Sequence, residues 1–233
     1  MSRTGSARKC KTEGRMNEMS RCVILSACPV QPELKRLLRS DDFIIACDAG
    51  YRNCERLGCK PDIIVGDFDS APCPQQNADD IVVLPHVKDD TDTEYAAKLA
   101  AQKGFDEVLL LSALGGKRVE HTLANLCTGL GLEQHGIRAA LQDERSRITF
   151  VLPGESRRYP KKEFFYFSAF PMEGRAEGVY EKGSFYELED AVLTAGYPLG
   201  VSNEYAEGSD CITISTRPVS YTHLRAHETE LHL

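Results

Sequence analysis

From residue 22 onward, short unbroken apolar runs alternate with amphipathic segments of helical character. The apolar runs are CVILSA, FIIAC, DIIVG, IVVLP, DEVLLLSAL, IRAALQ and ITFVLP, and the segments between them include PELKRLLRS, YRNCERLG, TDTEYAAKLAAQKG and EHTLANLCTGLGLEQHG. Apolar runs without polar alternation are typical of strands buried on both faces. Because strands that alternate with helices form a sheet covered on both sides, we predict an α/β domain with a parallel sheet. Thr91 and Glu94 have capping-box spacing, and Gly104 marks the end of the same helix.

The local pattern changes near Pro153. Beyond it, runs such as FFYFSAF, GVYEKGSFYELED and CITIST are short, alternate apolar with polar residues, and are separated by Gly, Pro and Asn. This pattern is typical of a small antiparallel sandwich or barrel. We therefore predict an α/β domain over residues 21–152 and an all-β domain over 153–218. Residues 1–20 are interpreted as a disordered leader or tag, and 219–233 as a non-native or disordered tail.

Composition argues against several classes of protein. The formal net charge is −7 and no Lys/Arg-rich block occurs, which disfavours nucleic-acid binding. No apolar run reaches the roughly 20 residues that span a bilayer, so no membrane association is expected. The nine cysteines form no C-x-x-C pair, which disfavours a zinc ribbon or a redox motif. We expect free thiols in a reducing cytoplasm.

Acidic residues follow three of the predicted strands. Asp48 follows FIIAC, Asp67 and Asp69 follow DIIVG, and a group that includes Asp89 and Asp92 follows IVVLP. The carboxyl ends of parallel strands share one edge of the sheet, where ligands bind, so these side chains are expected to converge. One D-x-D pair alone is more often a solvated turn. Three acidic groups at one edge favour a site for Mg²⁺, which takes oxygen ligands.

Two glycines and two cations occur in ALGGKRVEHTLAN, between a predicted strand and a predicted helix. Lys117 and Arg118 at a helix N-terminus are suited to phosphate, although the segment is not a P-loop. His121 and Asn125 share one face of this helix, and both capping or packing by His121 and contact with a ligand remain open. Lys88, beside the acidic group, suits a phosphate or an acidic neighbour.

These motifs occur in a specific order along the chain. Asp48-Ala49-Gly50, PDIIVGDFDS, KDDTDTE, GGKRVEHTLAN and VSNEY together resemble the thiamine pyrophosphokinase family over residues 22–217. The resemblance implies a Rossmann-like parallel-sheet domain that binds ATP and Mg²⁺, followed by a β-sandwich domain. It also implies a homodimer with thiamine near the subunit interface. The implied reaction transfers the pyrophosphoryl group of ATP to the hydroxyl of thiamine and yields thiamine diphosphate and AMP.

The resemblance also implies roles for individual residues. Catalytic and metal-binding roles are implied for Asp67, Asp69 and Asp92. Contacts with thiamine are implied for Glu120, Ser202 and Asn203. The positions that match the nucleotide and phosphate site are Asp48, Gly50, Ser70, Lys88, Asp89, Thr91, Lys117, Arg118, His121 and Asn125.

The sequence departs from the family pattern in two places. GGKRVEH has one residue more between the glycines and the acid than the usual G-G-R-x-D-H, so the functional cation is either Lys117 or Arg118. Glu120 stands where the family usually has Asp. After Pro218 the chain no longer resembles the family's apolar last strand.

Three other functions fit the same residues. A related pyrophosphokinase that acts on another alcohol, such as a hydroxymethylpterin, would share the acidic edge and differ in its acceptor pocket. A non-catalytic sensor of Mg-nucleotide or thiamine diphosphate would bind without releasing AMP. A Mg²⁺-dependent phosphohydrolase would release phosphate without an acceptor.

Overall fold

The computed structural model describes residues 21–68, 80–87, 89–161 and 165–218. The first part of the chain builds a seven-stranded sheet, sheet A, in the order β4-β3-β2-β1-β5-β6-β7. Its strands are β1 (Arg21–Leu25), β2 (Phe43–Cys47), β3 (Ile63–Gly66), β4 (Asp80–Val83), β5 (Glu107–Leu111), β6 (Arg138–Gln142) and β7 (Arg147–Thr149). All pairings among β1 to β6 are parallel, so the predicted parallel sheet is confirmed for these six strands.

The edge strand β7 runs antiparallel to β6, which departs from the parallel arrangement predicted for the run ITFVLP. The connection between the two strands is a four-residue turn closed by Asp143. Its carboxylate accepts hydrogen bonds from the backbone N–H of Arg145 and of Ser146, at 2.8 and 2.6 Å. Because a parallel connection needs about a dozen residues or more, a turn this short allows only an antiparallel pairing.

Three α-helices pack on sheet A: α1 (Tyr51–Leu57), α2 (Asp92–Gln102) and α3 (Val119–Gln134). The helix-like segment PELKRLLRS forms a 3-10 helix, Pro32–Leu37, rather than an α-helix. Leu34 is the buried side chain of this segment, so little packing supports a longer helix. No helix in the described parts of the chain is long and apolar enough to cross a membrane.

The N-terminus of α2 is capped as the sequence predicts, but the capping box is not closed. The hydroxyl of Thr91 accepts a hydrogen bond from the backbone N–H of Glu94, at 3.1 Å. The Glu94 carboxylate does not return to the cap; it accepts a hydrogen bond from the Thr128 hydroxyl of α3, at 2.7 Å. Glu94 therefore joins two neighbouring helices, and Gly104 follows the helix with a φ of 82°.

Sheet A has an apolar layer on each face, because neighbouring residues of a strand point to opposite faces. One layer includes Ile24, Ile45 and Val65 and packs against α2 and α3. The other includes Leu25 and Ile64 and packs against α1 and the 3-10 helix. Each fully buried aliphatic side chain contributes about 1.5–3 kcal/mol, so these layers hold the strand ends in a fixed arrangement.

The remaining strands form two antiparallel sheets. Sheet B has the order β11-β10-β13-β8, and β9 pairs with β12. The strands are β8 (Ser156–Pro160), β9 (Tyr166–Phe167), β10 (Arg175–Lys182), β11 (Leu188–Thr194), β12 (Asn203–Glu204) and β13 (Cys211–Thr216). Val179, Leu193 and Ile214 form the buried centre. The predicted all-β second part is confirmed, while residues 1–20 and 219–233 lie outside the described residues.

Candidate active site

The carboxyl ends of β2 and β3 lie in direct contact. Asp48 follows β2 with a φ of 45°, and Gly66 is the last residue of β3. A Cβ at Gly66 would lie 3.1 Å from the Asp48 Cα, so glycine lets the two strand ends approach each other closely. Gly50 has a similar role, because a Cβ there would lie 2.1 Å from the carbonyl oxygen of Leu25. Asp48 and Gly50, which the sequence predicts for the nucleotide site, therefore both lie at the carboxyl edge of the sheet.

Asp67 follows β3 directly and faces the loop after β4. Its Oδ2 lies 3.6 Å from Nδ1 of His86, with the Asp67 side chain 15% exposed and the His86 side chain 75% exposed. The contact links two neighbouring strand ends and leaves the imidazole facing solvent. Asp69, Ser70 and Lys88 lie outside the described residues.

The first turn of α2 is held against the ends of β1 and β2. The Cys47 thiol donates to the carbonyl oxygen of Asp92 at 3.5 Å, and the hydroxyls of Ser26 and Thr93 are 2.9 Å apart in a buried position. Burial raises the pKa of the Cys47 thiol, and the nearby Asp92 and Asp48 carboxylates raise it further. Asp92 therefore lies at the same edge as Asp48, as the sequence predicts.

An ion pair joins the acidic loop before α2 to the helix itself. Lys98 of α2 donates to both carboxylate oxygens of Asp90, at 2.7 and 2.8 Å. The hydrogen bond with Asp90 raises the pKa of Lys98, and Asp89 and Glu94 add to this effect. Lys98 thus holds the loop that leads through Thr91 to the start of α2 at Asp92, a role that the sequence pattern did not indicate.

The loop after β5 packs on the residues that follow β1. Gly115 and Gly116 have φ values of 73° and 84°, a region that favours glycine. A Cβ at Gly116 would lie 2.8 Å from the Cys28 sulfur, and the backbone N–H of Cys28 donates to the carbonyl oxygen of Ser112 at 3.1 Å. Gly116 is therefore favoured both by its backbone conformation and by close packing against Cys28, and Gly115 by its backbone conformation.

At the start of α3, the two predicted cations differ in their contacts. Arg118 Nε donates to the Glu120 carboxylate at 2.7 Å, and this hydrogen bond lowers the pKa of Glu120. Lys117 is exposed and forms no ion pair with a described residue. The His121 side chain is exposed, and Asn125 is buried with its amide donating to the carbonyl oxygen of Ala113 at 2.7 Å. Asn125 thus anchors the chain between β5 and the glycine pair.

A cleft of about 290 Å³ opens between the ends of β1 and β5. The strand order reverses at this point, where open α/β sheets commonly bind their ligands. The lining includes residues that the sequence motifs did not single out: Cys28, Pro29, Ser112, Asp143, Glu144 and Arg145. Ser112 has a φ of 58°, and its buried hydroxyl has no hydrogen-bond partner among the described residues. In the sequence, the feature that could have indicated Ser112 as a cleft residue is its position directly after the apolar strand β5.

In the second part of the chain, Ser202 and Asn203 lie side by side at the start of β12. Ser202 has a φ of 57°, and its backbone N–H donates to the Ser168 hydroxyl at 3.0 Å. Asn203 is buried, and its amide donates to the Glu181 carboxylate at 2.7 Å and to the carbonyl oxygen of Tyr186 at 2.8 Å. Neither side chain bonds to the acidic edge within the described residues.

The acidic edge provides carboxylate oxygens that could bind a hard cation, but the described side chains do not form a complete coordination shell. Among the described residues, no group of three His, Cys, Asp or Glu side chains is close enough to hold a metal ion. Mg²⁺ typically takes only one or two carboxylates and completes its shell with water and substrate phosphates. The separate carboxylates of Asp48, Asp67 and Asp92 fit this mode of binding, in which the substrate supplies the remaining oxygens.

Two family profiles match the chain in consecutive order. "Thiamin pyrophosphokinase, catalytic domain" matches residues 34–141, and "Thiamin pyrophosphokinase, vitamin B1 binding domain" matches residues 158–218. No curated protein sequence matches the chain.

Solved structures with the same architecture cover nearly the whole described chain. Thiamin pyrophosphokinase from Geobacillus thermodenitrificans is 26% identical, with a TM-score of 0.73 over 85% of this chain and 93% of that chain. The enzyme from Bacillus subtilis is 24% identical, with a TM-score of 0.74 over 85% and 95%. The one from Candida albicans is 14% identical, with a TM-score of 0.68 over 84% and 86%, and shares the fold.

The sheet with its acidic carboxyl edge and the following antiparallel sheets define a two-domain enzyme, in which an α/β catalytic domain precedes an all-β vitamin-binding domain. The chain belongs to the thiamin pyrophosphokinase family.

Proposed function

We propose that this protein transfers the pyrophosphoryl group of ATP to the hydroxyl of thiamine, with thiamine diphosphate and AMP as products. The observation that carries the proposal is the convergence of the ends of β2 and β3 and the start of α2 within the catalytic-domain match. Asp48 packs against Gly66, Asp67 follows Gly66, and the first turn of α2 with Asp92 is held against Cys47. These contacts gather carboxylates at the edge where a nucleotide is expected.

The reaction forms a bond between the thiamine hydroxyl oxygen and the β-phosphorus of ATP. The bond from that phosphorus to the oxygen shared with the α-phosphorus breaks, and AMP leaves. Such a transfer depends mainly on positioning and on offsetting negative charge. We propose that Asp92 or Asp69 is the acid nearest the attacking hydroxyl. Asp92 is well suited because α2 is fixed by the Thr91 cap and the contact of Thr93 with Ser26.

The phosphates of ATP are proposed to lie at the glycine pair and the start of α3. Backbone N–H groups at a helix N-terminus favour anions, and the adjacent cleft at β1 and β5 accommodates the rest of the nucleotide. Of the two cations, we assign phosphate binding to Lys117, because Arg118 is already paired with Glu120. Arg118 would then hold Glu120, the proposed thiamine contact, in place.

Mg²⁺ is proposed at the acidic edge, held by Asp67, Asp92 and Asp69 with Asp48 nearby. When bound, it would neutralise charge on the phosphate oxygens. The residues of the chain position the substrates: the α2 cap orients Asp92, and the Lys98–Asp90 pair fixes the loop before it.

A homodimer is proposed to complete the thiamine site. Large exposed apolar side chains are concentrated in the vitamin-binding domain: Phe165, Tyr166, Phe170, Met172, Phe185, Tyr186, Val192, Tyr197, Leu199 and Val201. Such surfaces commonly mark protein interfaces. Ser202 and Asn203 lie beside this surface, so pairing of two copies would place them in an interface.

A reducing cytoplasm is proposed as the cellular compartment. The seven described cysteines are all free thiols, and several are buried in sheet A. Buried free cysteines are common in proteins of reducing compartments.

The deciding experiment incubates the purified chain with ATP, Mg²⁺ and thiamine, and measures AMP and thiamine diphosphate. We expect equal amounts of both products, and none without thiamine. AMP or phosphate release without thiamine would instead indicate a hydrolase. Nucleotide binding without any product would indicate a sensor, and turnover with a hydroxymethylpterin in place of thiamine would indicate the related pyrophosphokinase.

Two matched variants test the acidic edge in the same assay. Asp48→Asn and Asp67→Asn are expected to remove most turnover while the protein stays folded by circular dichroism. Asp41→Asn is the control, because Asp41 is an exposed acid just before β2, at the opposite edge of the same sheet. Equal activity in all three variants would contradict the proposed site.

A further inference from the structure

Helix α1 ends in a motif that brings two cysteines together. Gly58 follows the helix in the left-handed region, with φ 63° and ψ 40°. The backbone N–H of Gly58 donates to the carbonyl oxygen of Glu55 at 3.1 Å, and that of Cys59 donates to the carbonyl oxygen of Cys54 at 3.0 Å. This pair of hydrogen bonds defines a Schellman motif, in which the side chain three positions before the last helical residue, here Cys54, typically contacts that of the second residue after the helix, here Cys59.

In most proteins this contact is between apolar side chains, but here both positions carry a thiol. The Cys59 thiol donates to the carbonyl oxygen of Cys54 at 3.6 Å, and the two thiols are close enough to shift each other's pKa. Cys54 is fully buried, while Cys59 is partly exposed. The backbone hydrogen bond from Cys59 to Cys54 places the two residues next to each other, as a disulfide requires: bridged cysteines typically have Cα atoms about 4.4–6.8 Å apart.

The surroundings favour a thiolate at Cys59 rather than at Cys54. A Cβ at Gly58 would lie 3.2 Å from Nζ of Lys35, so an ammonium group is next to Cys59. The hydrogen bond from Cys54 lowers the pKa of Cys59, and Lys35 lowers it further. A partly exposed cysteine of lowered pKa beside a cation and a second thiol is the usual arrangement of an oxidisable cysteine pair.

We propose that Cys54 and Cys59 form an oxidation site that a hydroperoxide converts into a disulfide at the end of α1. The Cys59 thiolate attacks the outer oxygen of the hydroperoxide, the O–O bond breaks, and the alcohol or water leaves with a proton. Cys59 is then a sulfenic acid. The Cys54 sulfur attacks the Cys59 sulfur, the S–O bond breaks, and water leaves with the Cys54 proton. Two thiols and one hydroperoxide thus give one disulfide, one alcohol or water, and one further water.

The remaining described cysteines lack this arrangement. Burial raises the pKa of the Cys22, Cys47 and Cys28 thiols, which opposes formation of their thiolates. Cys127 is exposed and Cys211 is partly exposed, but among the described residues the side chain of neither is hydrogen-bonded to another thiol. Oxidation is therefore expected to be selective for the pair at α1.

The test treats the full chain with a small excess of hydrogen peroxide, blocks the remaining thiols with iodoacetamide, and digests the protein with trypsin. Cleavage after Arg56 separates the two cysteines, and Pro61 protects the bond after Lys60, so the pair is divided between peptides 53–56 and 57–88. We expect these peptides to be joined by a bond that tandem mass spectrometry assigns to Cys59 rather than Cys73.

Variants make the test specific. The joined peptides are expected to disappear in Cys54→Ser and Cys59→Ser and to persist in Cys127→Ser. In Cys54→Ser, dimedone is expected to label Cys59 as a sulfenic acid, and Lys35→Gln is expected to oxidise several-fold more slowly than the wild-type chain. The proposal is overturned if both thiols of the peroxide-treated wild-type chain remain open to alkylation, or if Cys28 or Cys127 is oxidised first. None of these readouts depends on thiamine turnover.

Discussion

The guanidinium of Arg157 forms two parallel hydrogen bonds with the carboxylate of Glu133, at 3.0 and 2.6 Å. Arg157 belongs to β8 of sheet B, and Glu133 belongs to α3 on sheet A. Glu133 is 4% exposed, and its carboxylate also accepts a hydrogen bond from the backbone N–H of Ala139 at 2.8 Å. The ion pair therefore ties the vitamin-binding part of the chain to α3, the helix whose first turn carries Glu120.

Arg157→Ala is expected to destabilise the protein by about 3 kcal/mol, because it leaves a buried carboxylate without its partner. Urea unfolding at neutral pH measures the change. The control is Arg175→Ala, which breaks an ion pair with Glu177 in which both side chains are exposed, and which is expected to cost less than about 1 kcal/mol. Equal costs in the two variants would contradict a special role for the pair with Glu133.

The Glu181 carboxyl should make folding sensitive to pH. It is completely buried between the cross-strand neighbours Leu188 and Ile214, and burial raises its pKa. A carboxyl with a raised pKa stabilises the fold fully only below its unfolded pKa, and this contribution is lost as pH rises through the folded-state pKa. Wild type should therefore lose stability relative to Glu181→Gln as the pH rises above the ordinary glutamate pKa of about 4.3.

Glu187 supplies the opposite sign as a control for Glu181. The backbone N–H of Gly183 donates to its carboxylate at 2.8 Å and lowers its pKa, so its contribution is present at neutral pH and lost as pH falls. The difference in the free energy of unfolding between wild type and Glu187→Gln should therefore become smaller as the pH falls. The measurement is the urea midpoint of wild type and of both variants between acid and neutral pH. If each variant differs from wild type by the same amount at every pH, the predictions for Glu181 and Glu187 are wrong.

Gly66→Ala is expected to lower turnover and stability together. The added Cβ would lie 3.1 Å from the Asp48 Cα, so two strand ends at the acidic edge must move apart, at a cost of about 1–3 kcal/mol. Gly131→Ala is the control, since a Cβ there meets nothing within 4 Å and alanine favours the interior of α3 by about 0.5–1 kcal/mol. The measurements are the thermal midpoint and kcat/KM for ATP of both variants. If Gly66→Ala keeps the wild-type values of both, close contact between the strand ends is not required.

Removing the α2 cap should disturb the first turn of α2, which begins with Asp92. Thr91→Ala loses the hydrogen bond to the backbone N–H of Glu94 and is expected to cost about 1 kcal/mol. Thr91→Ser keeps a hydroxyl at the same position and should restore stability and activity. Urea unfolding and the KM for ATP are the measurements, and an Ala variant that matches Ser would rule out the cap as a determinant of the site.

Local sequence patterns predicted most of the elements correctly. Strands β1 to β6 and the helices α1, α2 and α3 follow from apolar runs, helical spacing and turn residues. The misses have specific causes. The short Asp143 turn makes β7 antiparallel, and the segment Pro32–Leu37 has one buried side chain and forms a 3-10 helix. Asp69, Ser70 and Lys88 stay predictions because they lie outside the described residues.

The sequence by itself determined where carboxylates follow strands and where α2 begins, because strand burial, turn chemistry and helix capping act over a few neighbouring residues. The order of its motifs also indicated the family. Tertiary structure alone decided which distant groups meet: Glu94 with Thr128, Glu133 with Arg157, and Asn203 with Glu181. These contacts depend on how whole elements pack, and packing selects partners by shape and distance across the core, which local spacing does not encode.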